Sequence, residues 1–175
     1  MNLLHIIKQS EKLSPTIQSL LNSSGPSSPQ RSTNVSVCSR ESMKDRLTDL
    51  QYKVTQEKYT EKPFSGPYVN DFTPGVYHCV VCETELFGSN SKFACNAGWP
   101  AFSEPMKDRI AYNLDPSTGE LRVEVACKRC GAHLGHVFDD GPKPAGLRYC
   151  INSAALVHQS SRNDCQDSCV LNDTC

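Results

Sequence analysis

Along residues 121–126 apolar and charged positions alternate, with Leu121, Val123 and Val125 set against Arg122 and Glu124. A period of two belongs to a strand buried on one face. The preceding Asp115-Pro-Ser-Thr-Gly119 has the composition of a hairpin turn. Similar strand-like pieces follow Pro63: Gly75 to Val81, Leu86-Phe87 and Tyr149 to Leu156, divided by Gly88-Ser-Asn90 and Asp140-Gly-Pro-Lys-Pro-Ala-Gly146. Helical spacing is confined to the N-terminal part. Leu3, Ile6, Ile7, Leu13, Ile17, Leu20 and Leu21 approximate a stripe, and Met43 to Tyr52 predicts a short helix that ends before the polar run Thr55 to Lys62. With so few helical segments, the pattern predicts a mainly β, antiparallel fold.

The chain of 175 residues, 38% hydrophobic, is long enough for one domain with extensions. The serine- and proline-rich stretch from Asn22 to Ser39 has too little apolar surface to order itself. This divides the chain into residues 1–43, read as a leader or disordered extension, a domain over 44–160, and a flexible cysteine-containing tail over 161–175. The amphipathic start with Arg31 and Arg40 suits a mitochondrial presequence, and a plain extension fits equally. Eighteen basic against nineteen acidic residues leave a formal charge of -1, which argues for neither nucleic acid nor an anionic membrane as partner. No run approaches the roughly 18 apolar residues of a membrane span. The expectation is a cytoplasmic or mitochondrial monomer acting on a neutral or modest-sized ligand.

Ten cysteines change the picture through their placement. Cys79/Cys82 and Cys127/Cys130 are Cys-x-x-Cys pairs, each able to aim two thiolates at one point, and together they supply the four soft ligands of a tetrahedral structural Zn²⁺. The 44 residues between the pairs (83–126) predict a clip joining two hairpins. A redox dithiol or two local disulfides are the rival readings. Neither accounts well for two copies, and no helical stretch follows Cys82 or Cys130 as a redox motif requires. Four thiolates also leave no open position for metal catalysis.

Cys150 stands apart from these pairs as a candidate nucleophile, in a stretch that also gathers His133, His136, Asp140, Arg148 and Asn152. A neighbouring guanidinium or imidazolium lowers a thiol pKa. If Arg148, Cys150 and Asn152 lie on one strand, all three share a face. A turn between His133 and His136 would aim both imidazoles at one pocket, making both acid candidates. Singly these residues have plainer readings: loop or metal-site histidines, a surface ion pair for Arg148, turn caps for Asp140 and Asn152. Trp99, in Gly98-Trp-Pro-Ala-Phe102, reads equally as core or as the wall of a pocket for a methyl group.

The motifs Val54-Thr-Gln-Glu-Lys58, Pro63-Phe-Ser-Gly66, Tyr77-His-Cys-Val-Val-Cys82, Gly98-Trp-Pro100, His133-Leu-Gly-His-Val-Phe-Asp-Asp-Gly-Pro142 and Arg148-Tyr-Cys-Ile-Asn-Ser153 closely resemble those of the methionine-R-sulfoxide reductases, the MsrB family, over about residues 44 to 158. The resemblance implies a compact fold of two antiparallel β-sheets with a short N-terminal helix and one structural zinc on Cys79, Cys82, Cys127 and Cys130. It implies Cys150 as the thiolate that attacks the sulfoxide sulfur and is left as sulfenic acid. His133 and His136 match the acid and oxygen-binding positions, Asp140, Arg148 and Asn152 match residues that position substrate and water, and Trp99 would pack on the S-methyl group. The implied substrate is the R epimer of methionine sulfoxide, free or in proteins, with thioredoxin as the common reductant. The resolving cysteine of many members falls here on Ala97, leaving Cys95 or the tail thiols Cys165, Cys169 and Cys175, or an external thiol, to recycle the enzyme. A zinc-bound β module that recognises peptides without turnover is the competing class, and differs in needing no reactive thiol at Cys150.

Overall fold

The computed structural model describes residues 12–23 and 40–161. Cys38, the tail cysteines Cys165, Cys169 and Cys175, and the leader outside 12–23 and 40–43 lie beyond the described residues.

Two antiparallel sheets make up the domain. In the smaller, β1 (Gly75–Cys79) is flanked by β2 (Glu85–Gly88) and β9 (Leu156–Ser160). The larger contains six strands: β3 (Lys92–Phe93), β4 (Ala101–Phe102), β5 (Ile110–Asp115), β6 (Arg122–Cys127), β7 (His133–Phe138) and β8 (Arg148–Ile151). Their spatial order is β3-β4-β8-β7-β6-β5. On the apolar face of β6, Val123 and Val125 are buried to within 1%, as the alternation along 121–126 predicts, but Glu124 is only 2% exposed as well, so the strand is buried on both faces and not on one. Pairing carries that apolar face across the sheet: Val123 lies opposite Val137, Val137 opposite Tyr149, and Tyr149 opposite Phe102.

This face packs on the smaller sheet through aromatic rings. Phe87 of β2 stacks on Phe102 at 4.4 Å between ring centres, and Tyr77 of β1 meets the same ring edge-on at 5.1 Å. Rings placed this way add about 0.5–1.5 kcal/mol per pair beyond the area they bury. Tyr149, at the centre of the sheet, hydrogen-bonds its hydroxyl to that of Tyr112 at 2.8 Å, so the polar end of a buried ring is satisfied.

Among the described residues, three helices precede the strands: α1 (Pro15–Ser23), α2 (Arg40–Arg46) and α3 (Asp49–Glu57). The single helix expected from Met43 is in fact two. Thr48 and Gln51 form a reciprocal capping box that starts a new helix at Asp49. That helix also runs past Thr55, because the Thr55 hydroxyl is satisfied by the Gln51 carbonyl at 2.7 Å. It stops at Lys58, which takes up a left-handed conformation (φ 57).

Within the expected leader, α1 docks on the domain. Ile17 is only 4% exposed, and Leu13, Leu20 and Leu21 pack against the core. Replacing Ile17 with Asp should therefore destabilise the full chain by about 2–4 kcal/mol, read as a lowered midpoint of chemical denaturation. A midpoint equal to that of the wild type would show the helix detached in solution.

Candidate active site and metal centre

The two Cys-x-x-Cys pairs form matching turns. After β1, the Glu83 amide donates to the Cys79 carbonyl at 2.8 Å and the Cys79 amide to the Thr84 carbonyl at 2.8 Å. After β6, Gly131 donates to Cys127 at 2.8 Å and Cys127 to Ala132 at 2.9 Å. Each turn closes on a residue with positive φ, Glu83 (φ 59) and Gly131 (φ 75). The result brings the ligand atoms of Cys79, Cys82, Cys127 and Cys130 within 4.8 Å of one another. Sulfur–sulfur separations are 3.7 Å for Cys79–Cys130 and 3.6 Å for Cys82–Cys127. A tetrahedron with metal–sulfur bonds near 2.3 Å has edges of about 3.8 Å, so the donor set fits one metal ion. As the spacing predicts, the cluster joins two hairpins, and these belong to different sheets.

The face of the larger sheet turned away from the core is polar. Directly opposed residues point the same way, so a single row crosses five strands: Asn113, Glu124, His136, Cys150 and Ala101. Arg148, two residues before Cys150, shares that face. His133 would not share it with His136 in a regular strand, because an interval of three reverses the side chain. A bulge resolves this: Val125 pairs with Gly135 but Ala126 with His133, so Leu134 is an extra residue and His133 returns to the polar face. The two imidazoles are thus gathered by an irregular strand and not by the expected turn. Their ring centres lie 5.5 Å apart.

Each imidazole has a carboxylate and each carboxylate a cation. The His133 Nδ1–Glu124 Oε1 and Lys58 Nζ–Glu124 Oε2 distances are both 2.8 Å. His136 Nε2 lies 2.6 Å from Asp115 Oδ2, and Arg122 donates to the same oxygen at 2.9 Å. Burial works to raise the Glu124 carboxyl, but the bonds from His133 and Lys58 outweigh it and hold its pKa down at about 2. Burial likewise opposes the ionised Asp115, and bonds from Ser117 and His136 override it, holding the pKa low. Burial lowers the His136 pKa despite its bond to Asp115.

Arg148 is clamped by Asp140 through two bonds of 2.8 Å and lies over the Phe138 ring at 4.5 Å. Its charge draws the Cys150 pKa down, as expected from the sequence, but burial is the larger effect and the thiol is pushed up to about 11. Asp140 itself is exposed, and its own pKa is lowered by the Arg148 bond. Cys95 and Cys150 are both free thiols, and both act electrostatically on Arg148. Two hollows, of about 280 and 210 Å³, are lined by neither Cys150 nor the histidines.

Asn152 differs from its expected place on the reacting face. It falls just past β8, 3% exposed, with its side-chain amide bonded to the Leu134 carbonyl (2.9 Å) and its oxygen to the Glu61 amide (3.0 Å). Glu61 is a further residue missed in the sequence. Its buried carboxylate accepts the amides of Ser153 (2.7 Å) and Ala154 (2.9 Å), and its carbonyl accepts the Trp99 indole at 3.1 Å. Trp99 is half-buried, held on its loop by this bond and by Gly98 (φ 95). Glu124 was legible only as the polar half of an alternating strand, and Glu61 and Lys58 as members of a polar run.

A fold of two sheets that meet at four clustered thiols able to hold a metal ion, with a further thiol and paired imidazoles on one polar face, defines a thiol-bearing protein of two antiparallel sheets. A model of the SelR domain matches residues 47–160, and the chain belongs to that family, methionine-R-sulfoxide reductase B. It is 49% identical over 156 residues to methionine-R-sulfoxide reductase B3, mitochondrial, of Mus musculus, covering 89% of this chain and 60% of that protein. To peptide methionine sulfoxide reductase B1, chloroplastic, of Oryza sativa subsp. japonica it is 53% identical over 117 residues, 66% of this chain and 55% of that protein. To peptide methionine sulfoxide reductase MsrB of Cellvibrio japonicus (strain Ueda107) it is 50% identical over 120 residues, 68% of this chain and 86% of that protein. The chain thus spans less than two thirds of the length of the mouse and rice proteins.

The close approach of β7 and β8 can be tested at Gly135, where an added Cβ would overlap the Cys150 carbonyl oxygen. Gly135→Ala should cost at least the upper end of the 1–3 kcal/mol (roughly) typical of overpacking and abolish any activity that needs His133 and Cys150 together. Wild-type stability in the Gly135→Ala protein, measured by thermal unfolding, would contradict the close approach.

Proposed function

We propose that this chain reduces methionine-R-sulfoxide, free or in proteins, to methionine, with Cys150 as nucleophile. The observation that carries the reading is the position of the Cys150 thiol, outside the metal cluster, opposite His136 in one cross-strand row and beside Arg148. Membership of the SelR-domain family supports the substrate class.

Burial keeps Cys150 a thiol at rest, so a proton must leave before attack. His136, held neutral by its own burial, suits the acceptor role, and Arg148 favours the thiolate once it forms. The thiolate sulfur bonds to the sulfoxide sulfur while the oxide oxygen takes up a proton from the imidazole pair. Collapse transfers the hydroxyl to Cys150, giving sulfenic acid, and methionine leaves with the electron pair. The balance is thiol plus sulfoxide to sulfenic acid plus thioether, with no net proton. Trp99 offers its half-buried indole face to the S-methyl group, and Asp140 and Asn152 act by orienting Arg148 and the strand end.

Cys95 is one resolving thiol this reading offers, beside the tail thiols Cys165, Cys169 and Cys175 and an external thiol. Its attack on the sulfenic acid forms a disulfide and releases water, and a thioredoxin-type dithiol then reduces the disulfide. The four-cysteine set would hold Zn²⁺, which suits four soft tetrahedral ligands and leaves no vacant position, so that the ion's contribution is structural. Action as a monomer in mitochondria or cytoplasm belongs to the same reading. It is supported by the mitochondrial designation of the mouse relative, and no helix among the described residues is long and apolar enough to cross a membrane.

With separated epimers and dithiothreitol, the pure protein should reduce only the R form. Cys150→Ser should lose turnover and keep its metal and its melting curve; activity toward the S form alone, or toward neither, defeats the reading. Cys82→Ser should lower zinc content and thermal stability together, since structural zinc sites contribute about 10–16 kcal/mol of apparent binding energy to folding. Stoichiometric zinc with wild-type melting in that variant would remove the four-ligand assignment.

A further inference from the structure

The least explained group on the polar face is Glu124. It is 2% exposed, and its partner His133 is equally buried. Both carboxylate oxygens are engaged: Oε1 with His133 Nδ1 at 2.8 Å, Oε2 with Lys58 at 2.8 Å and the Asn113 amide at 3.3 Å. An ionised carboxylate only accepts, so the hydrogen of this pair resides on the imidazole Nδ1. The other ring nitrogen, Nε2, is buried and has no hydrogen-bond partner among the described residues. A buried polar atom without a partner needs an explanation, and an incoming oxygen ligand provides one.

His136 offers a contrast on the same strand. It is bonded through Nε2 to Asp115, which leaves its Nδ1 as the available atom. Two adjacent imidazoles therefore present different nitrogens, each dictated by its own carboxylate.

We propose that Glu124 is a positioning residue for the sulfoxide reduction: its carboxylate locks His133 with the hydrogen on Nδ1 and Nε2 turned over to the substrate oxygen, and Lys58 anchors the carboxylate from its far side. The assignment rests on the reductase reading for the identity of that oxygen, though not for the lock itself. An imidazolium at His133 has one proton held by Glu124 and one to give from Nε2, which is the form an acid needs. Beside His133 stand Glu124 of β6, His136 of β7 and, through Glu124, Lys58 after α3, while Asp115 of β5, Arg122 of β6 and Cys150 of β8 gather on the His136 side. Of these, Glu124 alone is hydrogen-bonded to the His133 ring.

The test uses the zinc-loaded full chain. Glu124→Gln keeps an acceptor of the same shape and removes the charge. Its kcat should fall roughly 10–100-fold with KM little changed. Lys58→Met, at a side chain 66% exposed, removes the anchor on the far side of the carboxylate and should lower kcat less than Glu124→Gln does. A fall in kcat with KM and the melting curve both held is not produced by a general loss of stability. Nitrogen-15 spectra of the histidine rings above the imidazole titration read the lock without any turnover: the wild type should show His133 as the Nδ1–H tautomer. An Nε2–H tautomer in the wild type, or a Glu124→Gln protein with wild-type kcat, would overturn the proposal. A wild-type protein that holds the Nδ1–H tautomer but reduces neither epimer would remove the reductase reading and leave the lock in place. Should the Glu124→Gln protein fail to fold, the Lys58→Met variant and the wild-type spectra still decide.

Discussion

Four sulfur atoms from the two sheets meet in one cluster that could hold a metal ion. The β1–β2 hairpin belongs to the smaller sheet and the β6–β7 hairpin to the larger, and both end in the same cysteine cluster. From Cys130 the chain has only Gly131 and Ala132 before it enters β7 at His133, and from Glu124 only two residues before it reaches Cys127. The cluster therefore sets where β6 and β7 begin to pair. That pairing decides where Glu124 meets His133, and so what chemistry the polar face can do.

The polar face is also a compromise between packing and reactivity. A thiol placed in the middle of a six-stranded sheet is shielded, and shielding opposes its ionisation more strongly than Arg148 favours it. The same shielding strengthens every hydrogen bond nearby. The buried Glu124 and the half-buried Asp115 each pair with both an imidazole and a cation. Breaking a buried pair leaves an uncompensated charge, which costs far more than the pair itself contributes.

Short-range patterns were the legible part of this chain. Two-residue alternation in 121–126, the Asp-Pro-Ser-Thr-Gly turn and the scarcity of helical periodicity were enough for a mainly β antiparallel fold. The cysteine spacings were enough for a four-thiol cluster, because the pair is a local signal. The cross-strand partners were not legible. Glu61 and Asn152 are 91 residues apart and meet through one hydrogen bond, and nothing in either neighbourhood announces the other. The bulge at Leu134 was hidden for a different reason: an interval of three between histidines is compatible with a turn, a helix or an irregular strand, and only the pairing with β6 distinguishes them. Docking of α1 was obscured by the serine-rich stretch that follows it, which made the whole N-terminal region read as one extension.

The cluster is not equally shielded at its corners. Cys79 and Cys127 are buried and Cys82 is half-buried, whereas Cys130 is exposed. Its neighbours Lys128 and Arg129 are exposed as well, so this corner carries positive charge toward solvent. Of the four sulfurs, that of Cys130 is therefore the one a solvent-borne chelator or oxidant meets first.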